Sequence, residues 1–257
     1  MRRARRAGLF VTGGAAMPER IGDCFQEQTK YSINGIPSGA MRGPQPEAYK
    51  AYPGAQRAAL PNPVIRPGAS LWDILAARRS HRKFADRDLP LDDLSLLLWS
   101  FNGITARAGK YDFRTAPSAG ALYPVETYVV ANSVAGLDAG VWHHNIPNWE
   151  LELVRGGFQG GNLSYACLSQ KMCETAPAVF VWTGVVQRCK WKYLERGYRY
   201  IYLDCGHAGA HLHLAAEALG LGCCMIGAFF DDEVNAIIGA DGEEETALYI
   251  AAVGAKA

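Results

Sequence analysis

No run in this 257-residue sequence approaches the ~20 consecutive apolar residues that a membrane-spanning helix needs, so no membrane-embedded role is expected. Its cysteines lack any Cys-x-x-Cys pair and any His-Cys metal spacing. There are seven of them (Cys24, Cys167, Cys173, Cys189, Cys205, Cys223, Cys224), an odd number that reads as reduced, mostly buried thiols of a cytoplasmic protein. An excess of one charge sign is also missing. Lys plus Arg total 26 against 25 Asp plus Glu, and the net charge of +1 offers no global attraction to nucleic acid or to an anionic membrane. Internal repeats and low-complexity tracts are absent as well. The start, "MRRARRAGLFVTGGAAMPER", is basic like a signal peptide, but its apolar part, Leu9 to Val11, is far shorter than an h-region. No export is expected, Met17 is a plausible true start, and residues 1–16 read as a disordered or mis-assigned beginning.

Apolar residues make up 49% of a chain whose length suits one large domain. Over residues 17–68 the composition is rich in Pro, Gly and Ala. Pro37, Pro44, Pro46, Pro53, Pro61, Pro63 and Pro67 forbid long helices there and predict an extended arm. Residues 69–257 carry the periodic segments. Ser70 caps a predicted helix "LWDILAARR", with Asp73 three residues on as in a capping box, and "LDDLSLLLWSFNG" gives a second helix after Pro90, ended by Gly103. "VETYVVAN" reads as a strand, and "GVWHHNIPNWELELV" as two strands about a turn at Asn145 to Asn148. "LSYACLSQKM" suggests a helix, "PAVFVWTGVV" a buried strand, and "RYIYLDCGHAGAHLHLAAEAL" a long helix stopped by Gly220 and Gly222. A short helix "DDEVNAIIG" and a strand "ALYIAAVG" follow. Helices mixed with hairpin-like strand pairs indicate an α+β domain.

Three constellations could carry chemistry. In "RRSHR", the guanidiniums of Arg78, Arg79 and Arg82 and the hydroxyl of Ser80 suit a phosphate, because Arg presents paired donors in a rigid fork. The same cations could simply complement the negative end of the preceding helix, each contributing ~0.3 to 1 kcal/mol. In "RTAPSAGALYPVE" small residues let the backbone approach a flat ligand, although an ordinary loop before a strand would look alike. "LGLGCCMIGAF" could form a ligand-facing turn or a plain helix-to-strand connection with a glycine just past the helix. His207 and His211 stand four apart on the long helix, a spacing that could bind one metal, but no third ligand is evident and no metal site is expected.

A fourth segment, "KWKYLERGYRY", packs four cations and four aromatic rings into residues 190–200. Nucleic-acid binding, a solvated or interface helix face, and part of a reaction site are all readings of it. Arg196, Arg199 and Tyr200 fall at i+4, i+7 and i+8 from Lys192, which predicts one helical face. Lys192 and Tyr193 themselves diverge by about 100° on a helix, so both can enter one pocket only from a loop or a helix end.

Taken in order, "RxSxR" at Arg78, Ser80 and Arg82, "PSAGALYP" at Pro117 to Pro124, and "GHAGAHLHLAAEALGLG" at Gly206 to Gly222 resemble the FMN-dependent nitroreductase superfamily. The resemblance is closer to its SagB-type, azoline oxidase-like dehydrogenase branch and covers roughly Met17 onward. It implies a nitroreductase-like α+β fold, with a central mixed, mostly antiparallel sheet flanked by helices, in an intertwined cytoplasmic homodimer with two FMN molecules at the interface. It further implies that Arg78, Arg79, Ser80 and Arg82 hold the phosphate, ribityl chain and pyrimidine edge of FMN. Pro117, Ser118, Ala119 and Gly120 would reach the flavin of the partner chain, and Ile226 and Gly227 would lie near its reactive edge. Met225 stands where many relatives have Pro and His211 where many have Asn, and the late basic phosphate contact of relatives falls to Lys256. In SagB-type enzymes that oxidise azoline rings to azoles, a Lys-Tyr pair before the long helix is implicated in catalysis, and Lys192-Tyr193 matches it in position. Ring oxidation removes a carbon-bound proton while hydride passes to flavin N5, so a lysine sheltered from water could serve as base and a tyrosine as proton donor or relay. The expected activity is hydride transfer between a small-molecule or peptide substrate and FMN. NAD(P)H-dependent nitro or quinone reduction is the alternative, and a non-catalytic flavin-binding subunit a third reading.

Overall fold

The computed structural model describes residues 20–33, 35, 43–65 and 67–257, so the expectation for residues 1–16 lies outside the described residues. The chain forms two compact units, Met1–Ser38 and Gly39–Ala257. In the first, α1 (Ile21–Gln28) occupies the proline-free stretch ahead of Pro37. An Arg20–Asp23 ion pair spans its first turn, and the Thr29 hydroxyl donates to the Phe25 carbonyl at 2.6 Å at its end. The arm expected to be extended therefore contains one short helix. With no proline to interrupt them, these eight residues can close their own i→i−4 bonds.

The second unit runs β1 (Arg57–Ala59), α2 (Leu71–Ala77), α3 (Leu91–Asn102), β2 (Ile104–Ala108), β3 (Tyr111–Arg114), β4 (Val125–Ala131), β5 (Gly140–Asn145) and β6 (Glu150–Gly156). It continues with α4 (Gly160–Ala166), α5 (Met172–Thr175), β7 (Ala178–Val185), α6 (Val186–Tyr193), α7 (Gly197–Ala218), β8 (Leu221–Ile226), α8 (Asp231–Ile238) and β9 (Glu245–Ala255). Seven strands form one sheet in the order β1-β6-β5-β4-β7-β9-β8, and every neighbouring pair is antiparallel. Among the described residues, parallel pairing is confined to isolated bridges such as Ser80 with Cys223.

Side chains alternate across β7, and this alternation divides the core. Phe180 and Trp182 join Leu94, Leu97, Leu98 and Phe101 of α3 and Cys205, Ala208 and Leu212 of α7. Val179 and Val181 face Leu163 of α4 and Val234 and Ile238 of α8. The sheet is thus a middle layer covered on both faces, which is why β7 reads as a nearly continuous apolar run. At Gly209 an added Cβ would lie 2.8 Å from Met225 Cε and 3.0 Å from the Tyr249 ring, so glycine there lets α7 sit close on β8 and β9.

The Ser70 cap forms as expected. Its Oγ accepts from the Asp73 N–H at 3.2 Å and donates to the Asp73 carboxylate at 2.8 Å. Three features differ from, or add to, what the sequence led one to expect. "LSYACLSQKM" is not one helix, because Leu168 and Ser169 adopt left-handed backbone (φ 56° and 62°) and split α4 from α5. "LGLGCCMIGAF" is mostly strand. Gly220 (φ 72°) ends α7, and β8 pairs with β9 from Leu221 to Ile226, so long-range pairing overrides a glycine-rich composition. The β2–β3 hairpin, turning at Gly109 (φ 58°), was not anticipated.

Beyond α1, the described arm is fastened to the sheet. β1 pairs with β6, the Tyr52 N–H donates to Glu152 Oε2 at 3.0 Å, and Lys50 Nζ reaches Glu245 Oε2 at 2.5 Å and the Tyr128 hydroxyl at 2.8 Å. Under it, His143 stands between Glu126 (2.9 Å) and Glu152 (3.2 Å). On the opposite face of β5, His144 is buried, and its Nδ1 lies 3.1 Å from Asn102 Nδ2, which must be the donor. Burial, then the nearby His143 and Arg114, depress the His144 pKa to about 3. The unfolded chain takes up this proton near pH 6.5 and the folded one does not, so stability falls as pH drops from about 6.5 towards 3. His144→Gln is expected to flatten that part of the stability–pH curve in denaturant titrations; an unchanged curve would remove His144 as the cause.

Candidate active site

The Lys192-Tyr193 pair ends α6, and the chain there does not continue as one helix. Tyr193 leaves helical geometry (φ −114°, ψ 5°), Leu194 takes φ 50°, and a 3-10 turn at Leu194–Arg196 leads into α7. The single face expected for Lys192, Arg196, Arg199 and Tyr200 is therefore interrupted. The same break removes the 100° divergence of adjacent helical residues, and both side chains swing to one point. A Cβ added at Gly120 would lie 2.5 Å from the Tyr193 hydroxyl and 2.9 Å from Lys192 Nζ. The two polar ends thus meet over a residue that has no side chain. Lys192 Nζ also stands 5.4 Å from the Tyr193 ring centre, and the Tyr193 ring packs edge-on against Tyr200 at 4.7 Å.

Gly120 belongs to "PSAGALYP", and this turn is tightly wound. Gly120, Ala121 and Tyr123 all have positive φ (65°, 52° and 45°). The turn is held from α7 by Asp204, a buried carboxylate that accepts from Ser118 Oγ at 2.6 Å and from the Ala119 N–H at 3.1 Å. Ser118 Oγ in turn accepts from the Tyr123 N–H at 2.9 Å. Asp204 is a site residue that sequence reasoning missed. Its only signal was a lone acid in the apolar run "YIYLDCGHAGA". Burial pushes the Asp204 pKa up against the pull of the Ser118 and Ala119 hydrogen bonds. Burial, then Cys189, Tyr200 and Asp204, raise that of Tyr193. Lys192 is exposed, so the shelter expected for a basic lysine is not supplied by this chain alone.

Other cations of the segment are occupied. Lys190 pairs with Glu195 at 2.8 Å and lies over the Tyr198 ring, and Arg196 Nε donates to the Tyr200 hydroxyl at 2.9 Å. That internal pairing leaves less free charge for the nucleic-acid reading.

The "RRSHR" motif lies where α2 ends and runs onto the edge strand β8. Ser80 bridges Cys223, and the His81 N–H donates to the Cys223 carbonyl at 2.9 Å. Arg79 does what helix-end electrostatics alone would ask, donating to the carbonyls of Ala76 (3.0 Å) and Arg78 (2.7 Å). Among the described residues the guanidiniums of Arg78 and Arg82 make no hydrogen bond or ion pair, and with the exposed Ser80 hydroxyl they form a donor set suited to a phosphate. Lys256 is engaged by Glu217 at 2.9 and 3.0 Å. The Ile226 side chain is buried in the core beside α8, so only its backbone and the exposed Gly227 can face a ligand. His211 holds the Ser100 carbonyl through Nδ1 at 2.9 Å.

Comparison with known proteins matches the nitroreductase family model to residues 75–255. MJ1384 of Methanocaldococcus jannaschii, described as a nitroreductase, is 35% identical over 168 residues, covering 65% of this chain and 83% of that one. The trifolitoxin-processing protein TfxB of Rhizobium leguminosarum bv. trifolii is 31% identical over 147 residues, 52% of this chain and 39% of its own. The crystal structure of a protein described as a nitroreductase from Anabaena variabilis superposes with a TM-score of 0.74 at 26% identity. That superposition covers 96% of this chain, which spans about half (49%) of the Anabaena chain.

Proposed function

Because the chain belongs to the nitroreductase family, we propose that it is an FMN-dependent oxidoreductase of the SagB-type dehydrogenase branch, acting on a ring or peptide substrate. The observation that carries this reading is the convergence of Lys192 Nζ and the Tyr193 hydroxyl over Gly120. FMN, when bound, supplies hydride transfer at N5 and so carries two electrons between two substrates in turn. Arg78, Ser80 and Arg82 fit its phosphate. Arg79 and Lys256 would join them only by leaving their present partners.

Lys192 is placed to take a carbon-bound proton and Tyr193 to donate or relay one, a division of labour that suits oxidation of a ring. The exposure of Lys192 calls for a cover, which a second copy of the chain or the substrate would provide. Leu71, Trp72 and Leu75 of α2 and Tyr202 and Leu203 of α7 are exposed apolar side chains on helices that pack together, a surface suited to the homodimer. The name of TfxB, a trifolitoxin-processing protein, supports a role in processing a larger product; the name of MJ1384, a nitroreductase, supports nitro reduction, part of the second reading, NAD(P)H-dependent nitro or quinone reduction.

Purified protein should be yellow, or take up added FMN. Protein that does neither would refute both readings. Anaerobic mixing of the flavin-loaded protein with NADH or NADPH separates them, since rapid bleaching favours the reductase and an unreduced flavin favours the dehydrogenase. Arg82→Ala should weaken FMN retention at least tenfold by equilibrium dialysis, in keeping with the loss of a charge-assisted bond of about 1.5 to 3 kcal/mol. Wild-type retention would take Arg82 out of the phosphate site.

A further inference from the structure

We propose that Asp204 is a positioning residue for the Lys192-Tyr193 pair, fastening the Ser118–Tyr123 turn to α7 so that bare Gly120 lies beneath both side chains, and setting a negative charge beside the Tyr193 phenol. The inference rests on the reading of Lys192 and Tyr193 as the proton-handling pair, and its first test needs no turnover.

Three observations lead to it. Asp204 is only 6% exposed, and no cation pairs with it among the described residues. A buried carboxylate without a paired cation is costly, and here the hydrogen bonds that offset the cost come from two donors, both in the turn that carries Gly120, with the nearby His207 a lesser influence. The turn, in turn, needs an external hold, because three residues in four have left-handed backbone. Ser118 relays that hold by accepting from the Tyr123 N–H while donating to Asp204. If the turn relaxed, the space over Gly120 where the amine and the phenol meet would be lost with it.

A neutral acceptor such as asparagine would satisfy the same two donors more cheaply, so the charge itself calls for a role. The groups facing the phenol are Lys192 and Cys189 from α6, and Tyr200 and Asp204 from α7, with Arg196 held on the Tyr200 hydroxyl. His207 and Cys205 flank Asp204 on its own helix. Burial, then Asp204, pushes the Cys189 thiol up to about 12, so it remains neutral at ordinary pH. Asp204 is therefore the one carboxylate of this group, and it opposes formation of a second negative charge on Tyr193. A phenol so held can donate or relay a proton and does not act as a phenolate.

Asp204→Asn retains an acceptor for Ser118 and Ala119 and removes only the charge, whereas Asp204→Ala removes both. Ultraviolet difference titration of the full chain, with Tyr193→Phe as reference, should show the Tyr193 phenol ionising at lower pH in Asp204→Asn than in wild type. Asp204→Ala should lower kcat about 100-fold, the scale of a reacting group misplaced by ~1 Å, and Asp204→Asn should restore most of that loss near neutral pH. An unmoved Tyr193 titration in Asp204→Asn, or full turnover in Asp204→Ala, would overturn the proposal. Should Lys192→Ala prove fully active, the proton-handling reading falls, while the titration still decides the part played by Asp204.

Discussion

Lys192→Ala is expected to lower the rate of substrate oxidation by about 10²- to 10⁴-fold, the range for loss of a general base, and to leave FMN retention unchanged. The separation follows from placement. Lys192 ends α6 and meets Tyr193 over Gly120, whereas the proposed phosphate donors Arg78, Ser80 and Arg82 lie at the other end of the α7 layer, beside β8. Gly120→Ala tests the same point without touching either functional group. The new Cβ would stand 2.5 Å from the Tyr193 hydroxyl and 2.9 Å from the lysine nitrogen, displacing both, in a residue whose φ of 65° already disfavours any side chain. Steady-state kinetics with a retained flavin spectrum should show the two variants impaired alike. Wild-type turnover in Lys192→Ala would exclude the amine from the proton step, whatever the Gly120 variant does.

The sequence carried the outline of this site because its parts are local. A capping serine before "LWDILAARR", prolines and small residues before a strand, and a Lys-Tyr pair before a long helix are all legible within a few residues. The convergence of Lys192 and Tyr193 was not legible. It depends on the helix break at Leu194, whose left-handed backbone no glycine or asparagine announced. Asp204 and Arg188 were missed for a related reason. Each works through partners tens of residues away, Ser118 for one and Glu47 and Glu126 for the other. The helix-to-strand reading of "LGLGCCMIGAF" holds at Gly220, but the length of β8 was not legible, because Gly222, Cys223 and Cys224 have no strand signature of their own and pair with β9 beside them.

The other large effect concerns the support beneath the site. Arg188 lies one helical turn before Lys192, is 5% exposed, and joins three parts of the fold. Its guanidinium donates to Glu126 Oε1 on β4 at 2.5 Å and to the Glu47 carbonyl of the arm at 2.7 Å, and makes a long contact of 3.4 Å with the Tyr123 carbonyl, where the Gly120 turn ends. Arg188→Met is expected to cost about 3 to 5 kcal/mol, because it strands Glu126 as a buried charge. For a chain of this size that corresponds to a fall of roughly 10 °C in Tm. Pairing it with Glu126→Gln should recover only part of the loss, since the carboxylate is no longer stranded but the buried Arg114 guanidinium loses the Glu126 charge that favours it.

The dependence on pH gives a second readout of the same pair. Burial alone would raise the Glu126 pKa, but the hydrogen bond from His143 and the charge of Arg188 prevail and bring it to about 2, below the ordinary 4.5. A carboxylate depressed in the folded state contributes stability that is complete above about pH 4.5 and is lost as pH falls towards 2. Removing Arg188 takes away part of that depression, so the folded and unfolded Glu126 pKa values draw together and the share of acid-induced loss due to this group should shrink. Urea titrations at pH 7 and pH 4 would therefore show a smaller drop in stability on acidification in Arg188→Met than in wild type, from a lower starting value at pH 7. Equal losses would mean that His143 alone holds Glu126 ionised, and that Arg188 serves only to tie α6 to the arm.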